Sequence, residues 1–442
     1  MKRNSLHLIL LMFAILISTS SCQPAEEVAT PTPTPCPTST ASPSPTAAPT
    51  QRATQTPQPT PLPDYTRQFL DALPTNSNSC LPDKTADDLG IYIYDLKEAR
   101  ELVSINADVP LQFASAFKAP VLVYFLEACH RYWDPSSPEW QDYFQNLEAA
   151  RGMEGYTSPE YKQAVIDFIA DPANWKNVGD FFAEHRTTVN GVGGPIDTRY
   201  FILEKVYAMI AQSQNQSTAD VLLFTYNNCL NQEQVQIEEA CGGPNALTTF
   251  NAWFNDFSGI EYENGNPRRG LHTWDIVIEN GKKGPEEIRL STFGLEDACA
   301  DQTAILKCDP AYTATNTFTA RDFFKFYNSL YNLGDELIRE TAFGLLKVDE
   351  PGPARGYLKN LTRAMHATSL SKNGHAFFTN GSINTDAGIV LYKGKSYIVV
   401  TLSFNALGSM TTLYGSYDTE DNLVSDPGLL QTFLEEYSTT SP

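Results

Sequence analysis

The chain lacks the patterns of a metal enzyme. Its six histidines are scattered, with no His-Glu-x-x-His or His-x-x-His pair, and no cysteine spacing meets a histidine as a zinc site requires. No metal and no cofactor are expected. Basic residues are few, 31 Lys and Arg against 52 Asp and Glu, for a net charge of −21. That balance argues against nucleic acid or an anionic membrane surface as a partner. The apolar run Leu6–Ile17 has twelve residues, too few to span a bilayer. A phosphate-binding loop is also missing. Gly388 to Ser396 ends Gly394-Lys395-Ser396, but five residues separate the two glycines where four are needed. Tyr392-Lys-Gly-Lys-Ser-Tyr397 reads instead as a hairpin turn between apolar strands. No internal repeat is visible.

What is present begins with Met-Lys-Arg, the apolar run and Ser20-Ser21-Cys22. A short positive segment, an apolar stretch and small residues before a cysteine describe a secretory signal over residues 1–22. The cysteine points to a bacterial lipoprotein lipidated on Cys22. Thr19 stands where such sites usually carry leucine, so ordinary cleavage stays open. Residues 23–63 are almost wholly Pro, Thr, Ser, Ala and Gln, which cannot bury a core and favours extended polyproline conformations. At about 3.1 Å per residue such a stalk reaches roughly 120 Å from its anchor. The expectation is an exported protein, held outside the bacterial membrane by its lipid alone.

Residues 64–442 are long enough for a large folded domain. Six cysteines fall in it. Cys229 with Cys241, Cys299 with Cys308, and Cys80 with Cys129 is one of the fifteen possible pairings. An oxidising compartment fits them.

Within this domain Ser115-Ala116-Phe117-Lys118 opens an apolar helix, Ala119-Pro-Val-Leu-Val-Tyr-Phe-Leu126. Residues i and i+3 share a helix face, so the hydroxyl and the amine can meet. A serine is a poor nucleophile until a base takes its proton, and a lysine is such a base if burial lowers its pKa. Spacing alone is weak, because Ser369-Leu-Ser-Lys372 matches it too.

The surroundings add to it. Gly90-Ile-Tyr-Ile-Tyr-Asp-Leu96 alternates as a strand, and Glu101-Leu-Val-Ser-Ile105 can return as its hairpin partner. Residues 131–195 read as a helical insertion, 201–212 and 218–226 as helices joined across Ser213-Gln214-Asn215, and 259–309 as long loops. Thr319 is a candidate N-cap for a further helix. Strands are expected at His375–Ser382, Ala387–Tyr392 and Ser396–Phe404, before a last helix over Pro427–Tyr437. The fold class is thus α+β: an antiparallel sheet from N- and C-terminal strands packed with helices, plus an all-helical subdomain.

Strand pair, Ser-x-x-Lys helix, helical middle and late hairpin together resemble the class A serine β-lactamases and related penicillin-recognising hydrolases, over roughly residues 85 to 440. That family carries S-x-x-K, S-D-N and K-T-G in order. The resemblance implies that Ser115 is the acylated nucleophile and Lys118 its proton acceptor. It makes Ser213 the proton relay to the leaving nitrogen and Asn215 the partner of the substrate amide, with Gln214 in place of the family's Asp. For the third motif the register chosen is Thr379-Asn380-Gly381, with Thr379 where the family has lysine and Gly381 lining the substrate. Lys372-Asn373-Gly374 is the literal alternative, set before the expected strand. Glu296 is the candidate deacylating base, with Glu261 and Glu263 as earlier ones. The implied function is a serine acyl-enzyme hydrolase acting on β-lactam or related amide and ester bonds, taking a small-molecule or peptidoglycan-like substrate. Two alternatives stand beside it: a catalytically weak or inactive envelope lipoprotein that binds, favoured by Thr379 and by the unplaced glutamate, and a D-Ala-D-Ala peptidase or penicillin-binding protein.

Overall fold

The computed structural model describes residues 64–75, 88–138, 159–184, 201–231, 246–260, 316–349, 356–378, 381–404, 407–417 and 424–440, with short pieces between them. All belong to the unit Leu62–Pro442. Five strands form its main sheet: β1 (Asp88–Asp95), β2 (Arg100–Ile105), β3 (Thr368–Phe378), β4 (Gly381–Tyr392) and β5 (Lys395–Phe404), in the order β2-β1-β5-β4-β3. Every pairing is antiparallel. The two termini of the domain therefore build one sheet, as the α+β reading required. Lys393 and Gly394 turn β4 into β5 with φ of 48° and 75°, the left-handed pair that a two-residue hairpin needs.

Both faces of the sheet are covered, and the alternation of each strand shows it. In β5, Tyr397 and Val399 join one cluster, while Ile398, Val400 and Leu402 join the other. The first cluster takes in α1 (Tyr65–Ala72) and, from the C-terminal end of the chain, Leu413, Tyr414, Leu430, Phe433 and Tyr437. The second is the larger and holds the helical mass around α2 (Lys118–Ala128), which follows a 3-10 turn over Ala114–Phe117. Residues 118–126 of α2 are all buried. Apart from Lys118 they carry no charge, so α2 can only sit in the middle of a core.

Around it pack α3 (Pro159–Ala170), α4 (Phe201–Ala211), α5 (Asn215–Asn228), α6 (Ala246–Ser258), α7 (Ala320–Tyr331) and α8 (Glu336–Lys347). On the other face of the sheet lie α9 (Gly356–Ala364), α10 (Leu407–Tyr414) and α11 (Leu429–Thr440). Thr319 caps α7 as expected: its hydroxyl accepts from Asp322 N at 3.0 Å, and the Asp322 carboxylate accepts from Thr319 N at 2.8 Å. This reciprocal box satisfies two of the helix's orphan donors.

Two expectations need correcting. Cys129 faces Cys229, with 5.1 Å between their Cα atoms and the sulfurs at disulfide distance. Neither can then pair with Cys80 or Cys241. Both cysteines follow the last turns of buried helices, α2 and α5, so helix packing decides the pairing and closeness in sequence does not. The remaining cysteines lie outside the described residues, as does most of the span 259–309. The second correction concerns β3, which starts at Thr368 and not at His375. Its first half, Thr-Ser-Leu-Ser-Lys-Asn, is polar, so it lacks the apolar alternation that marks a strand.

Candidate active site

The 3-10 turn places Ser115 at the sheet's edge, beside β3. Ala114 just before it takes a left-handed backbone, φ 43°, a conformation that costs energy in a non-glycine residue and gathers at functional turns. Gly374 of β3 is pressed against this turn. A Cβ there would stand 2.6 Å from Ser115 N and 2.6 Å from Phe113 O, so only glycine lets the strand approach so closely. Ser115 itself is half-buried, and among the described residues its hydroxyl takes no hydrogen-bond partner.

Lys118 points into a small polar nest formed where α4 gives way to α5. Its Nζ lies 2.6 Å from Ser213 O, 2.6 Å from Asn215 Oδ1 and 3.3 Å from Ser213 Oγ. Ser213 holds the left-handed conformation, φ 57°, just past the C-terminal end of α4, where glycine is the usual occupant. The strain turns its carbonyl and its hydroxyl toward the lysine together. Gln214 is spent on the turn, accepting from Ser217 Oγ at 3.0 Å and donating to Gln212 Oε1 at 2.7 Å. Its difference from aspartate falls on a structural position.

A second lysine completes the nest. Lys372 Nζ donates to Ser213 Oγ at 3.0 Å, to Asn373 O at 3.0 Å and to Asn373 Oδ1 at 3.1 Å. Strand period brings Lys372 and Gly374 to one face of β3, toward Ser213 and Ser115 respectively. Lys372-Asn373-Gly374 is therefore the segment of β3 that borders the site, mid-strand. This overturns the register built on Thr379 and Gly381. Gly381 opens β4 opposite Phe378, four strand positions or about 13 Å beyond Gly374, so it does not join the nest. Thr379 lies outside the described residues, as do Glu296, Glu261, Glu263 and Cys22.

The signal that finds Lys372 is the literal Lys-x-Gly. The polar start of β3 sets this segment before the strand that apolar alternation marks. Ser369-x-x-Lys372 stays a coincidence, since residues three apart on a strand face opposite ways. Ser369 accepts instead from Ser371 Oγ, two residues on, at 3.4 Å.

Burial sets the protonation of both lysines. Lys118 is 0% exposed. Its pKa falls well below the usual lysine value, first because the charged form is desolvated and then because Lys372 is near. Lys372 is pushed down to about 7 by burial and by Lys359, against the pull of Asp386. Asp386, on the far face of β4, is itself pushed up to about 7 by burial; the Leu358 amide, 2.9 Å from its Oδ2, works the other way. No carboxylate offsets burial at Lys118, whereas Asp386 does so at Lys372. His375 turns to the opposite face, its Nδ1 2.8 Å from Asn384 Oδ1. Among the described residues no cluster of His, Cys, Asp or Glu could hold a metal ion.

Residues 76–131 match the Beta-lactamase enzyme family. That stretch holds the β1–β2 hairpin, Ser115, Lys118 and the whole of α2. With the five-stranded antiparallel sheet and its helical subdomain, the chain has a β-lactamase-like α+β fold. Among solved structures it is similar to a beta-lactamase from Chitinophaga pinensis DSM 2588, at 12% identity over 84% of this chain and 97% of that one, with a TM-score of 0.39. It is also similar to PBP-A, at 14% identity over 86% and 99%, TM-score 0.39. An ancestral (GNCA) class A beta-lactamase gives 14% over 84% and 99%, TM-score 0.36. No curated protein matches the chain.

Proposed function

We propose that the protein is a serine acyl-enzyme hydrolase acting on β-lactams or related amide and ester carbonyls, with Ser115 as the nucleophile. The observation that carries this reading is the buried amine of Lys118, its pKa lowered first by desolvation and then by Lys372, one helical turn beyond a half-buried serine. A neutral amine has two N–H bonds and one lone pair. Once deprotonated, the amine can spend both N–H bonds on Ser213 O and Asn215 Oδ1, and its lone pair, with Ser213 Oγ 3.3 Å away, is the proton acceptor.

Ser115 Oγ then attacks the carbonyl carbon. Its proton passes to Lys118 Nζ, and the carbonyl π bond opens to an oxyanion. The Ser115 amide and the β3 backbone held against it at Gly374 are the groups that would stabilise that charge. Collapse re-forms the carbonyl and breaks the C–N or C–O bond. The leaving atom takes a proton through Ser213 Oγ, which touches both lysines. Water hydrolyses the ester in a second step, with a glutamate before Thr319, Glu296, Glu261 or Glu263, as the base. Protonated Lys372 supplies positive charge for a substrate carboxylate, and the Nδ2 of Asn215 is left to bond the substrate amide.

A binding-only reading rests on Thr379 in the third motif and on an unplaced deacylating glutamate; Lys372 beside Ser213 favours the enzyme. The Leu6–Ile17 run, Cys22 and the Pro/Thr-rich stalk support export and lipid anchoring outside the bacterial membrane. The reading is tested by incubating the full chain with a fluorescent penicillin beside Ser115→Ala and following the label. A Ser115-dependent adduct supports it, and equal labelling of both proteins defeats it.

A further inference from the structure

Every N–H of charged Lys372 is already taken. An ammonium donates three hydrogen bonds and accepts none. Ser213 Oγ at 3.0 Å, Asn373 O at 3.0 Å and Asn373 Oδ1 at 3.1 Å accept all three. Lys372 is only 2% exposed, so little of it is open to a ligand.

The three acceptors are not alike. Asn373 O belongs to the backbone of β3. Ser213 Oγ lies in the proton path, 3.3 Å from Lys118 Nζ as well. Asn373 Oδ1 belongs to neither the strand nor the relay. It is a side-chain oxygen brought back onto the amine of the preceding residue. The start of α9 holds it there. A Cβ on Gly356 would stand 2.5 Å from Asn373 Cβ and 2.9 Å from its Cγ, and Gly356 has φ 77°, so only glycine permits this approach. Asn373 is itself buried, and close packing leaves its amide little room to swing away.

A substrate carboxylate that seeks Lys372 must therefore take the place of Asn373 Oδ1. The exchange trades one hydrogen bond on the amine for another and still costs the carboxylate its water. The net charge of −21 adds repulsion at longer range. Among the described residues no other cation offers a way round. Lys118 donates to Ser213 O and Asn215 Oδ1, and Lys359 donates to Val348 O. The described arginines are engaged elsewhere in the fold. An uncharged acyl group meets none of these costs.

We propose that Asn373 is a specificity-determining residue: by capping the Lys372 amine it makes the Ser115 site favour uncharged esters and amides over substrates that carry a carboxylate beside the scissile bond. A penicillin still reacts, once Asn373 gives way. The proposal rests on the acyl-enzyme reading for where the substrate lies, and its test reads binding, which needs no acylation.

The probes are benzylpenicillin and its methyl ester, which differ only at the carboxylate. Each is titrated calorimetrically into the full-length Ser115→Ala protein at pH 6, where Lys372 is charged. The ester should bind at least as tightly as the acid. Adding Asn373→Ala frees one N–H, and the ratio of affinities should move toward the acid by about tenfold, the worth of one hydrogen bond to a charged group. A merely structural role for Asn373 would weaken both ligands alike. Asn373→Ser, whose hydroxyl is too short to follow the amide onto the amine, should move the ratio the same way. An acid bound more than about tenfold tighter than the ester by Ser115→Ala alone, an unchanged ratio in the Asn373 variants, or no binding of either compound up to about 10 mM overturns the proposal. If both Asn373 variants fail to fold, the ratio in Ser115→Ala decides it. With Ser115 restored, no adduct from either compound would defeat the acyl-enzyme reading and leave the binding ratios as they stand.

Discussion

Replacing Lys372 with methionine should weaken acylation and, at low pH, strengthen the fold, because the lysine is kept charged where water cannot reach it. Its pKa falls from 10.5 to about 7 in the folded protein. At about 1.4 kcal/mol per pH unit, that fall costs the fold about 5 kcal/mol whenever the charge is kept. Below pH 7 both states carry the proton, so the full cost is present. Between pH 7 and 10.5 the unfolded chain holds a proton that the folded chain has lost, so stability rises with pH across this window. Above 10.5 the cost is gone.

Methionine removes the cost at every pH, together with the three contacts to Ser213 Oγ, Asn373 O and Asn373 Oδ1. These are worth about 1 kcal/mol each, about 3 in all. The variant should therefore be about 2 kcal/mol more stable than the parent at pH 6 and about 3 kcal/mol less stable at pH 10.5. Urea melts of both proteins, followed by tryptophan fluorescence at four pH values, measure the difference directly. Loss of one charged hydrogen bond to a substrate carboxylate should slow labelling by a penicillin about ten- to a hundredfold. In the parent, labelling should fall as pH rises through about 7 and Lys372 loses its proton. A variant destabilised equally at all pH values, or one that labels at the parent rate, would refute the reasoning.

Other outcomes follow from the same geometry. Gly374→Ala puts a methyl 2.6 Å from backbone atoms of the serine turn, so labelling should drop by about a hundredfold or more while α2 and the core still fold, as circular dichroism would report. Asp386→Asn removes a buried carboxylate whose pKa is raised to about 7. Its cost is absent below the ordinary carboxylate pKa and grows as pH rises toward 7, so the variant should gain stability at pH 8 and little at pH 4 in the same melts. The Cys129→Ala/Cys229→Ala double variant opens a loop of sequence separation 100 and should lose about 2–4 kcal/mol. A melting temperature equal to the parent's would contradict the pairing.

The sequence showed the elements whose pattern is apolar. Residues 119–126 could be read as a core helix and Gly90–Asp95 as a strand, because burial there is written in side-chain type. Thr319 could be read as a cap from its hydroxyl alone. The start of β3 could not: Ser369, Ser371, Lys372 and Asn373 are all buried, yet they are polar because they meet one another, Ser213 and their own backbone. Polar residues that satisfy each other inside a protein look like a surface loop in sequence. That ambiguity is why Lys372-Asn373-Gly374 reads in sequence as a segment before the strand and Thr379 as part of it. The cysteine pairing failed for a related reason, since the 100 residues between Cys129 and Cys229 return to one place only through helix packing.

The most direct measurement of the central claim is the intact mass of the full chain with penicillin over time, followed by peptide mapping. The account predicts one adduct, on Ser115, absent in Ser115→Ala and slowed at least about a hundredfold in Lys118→Met, where the proton acceptor is gone. An adduct on another residue, or labelling in Lys118→Met at the parent rate, would contradict it.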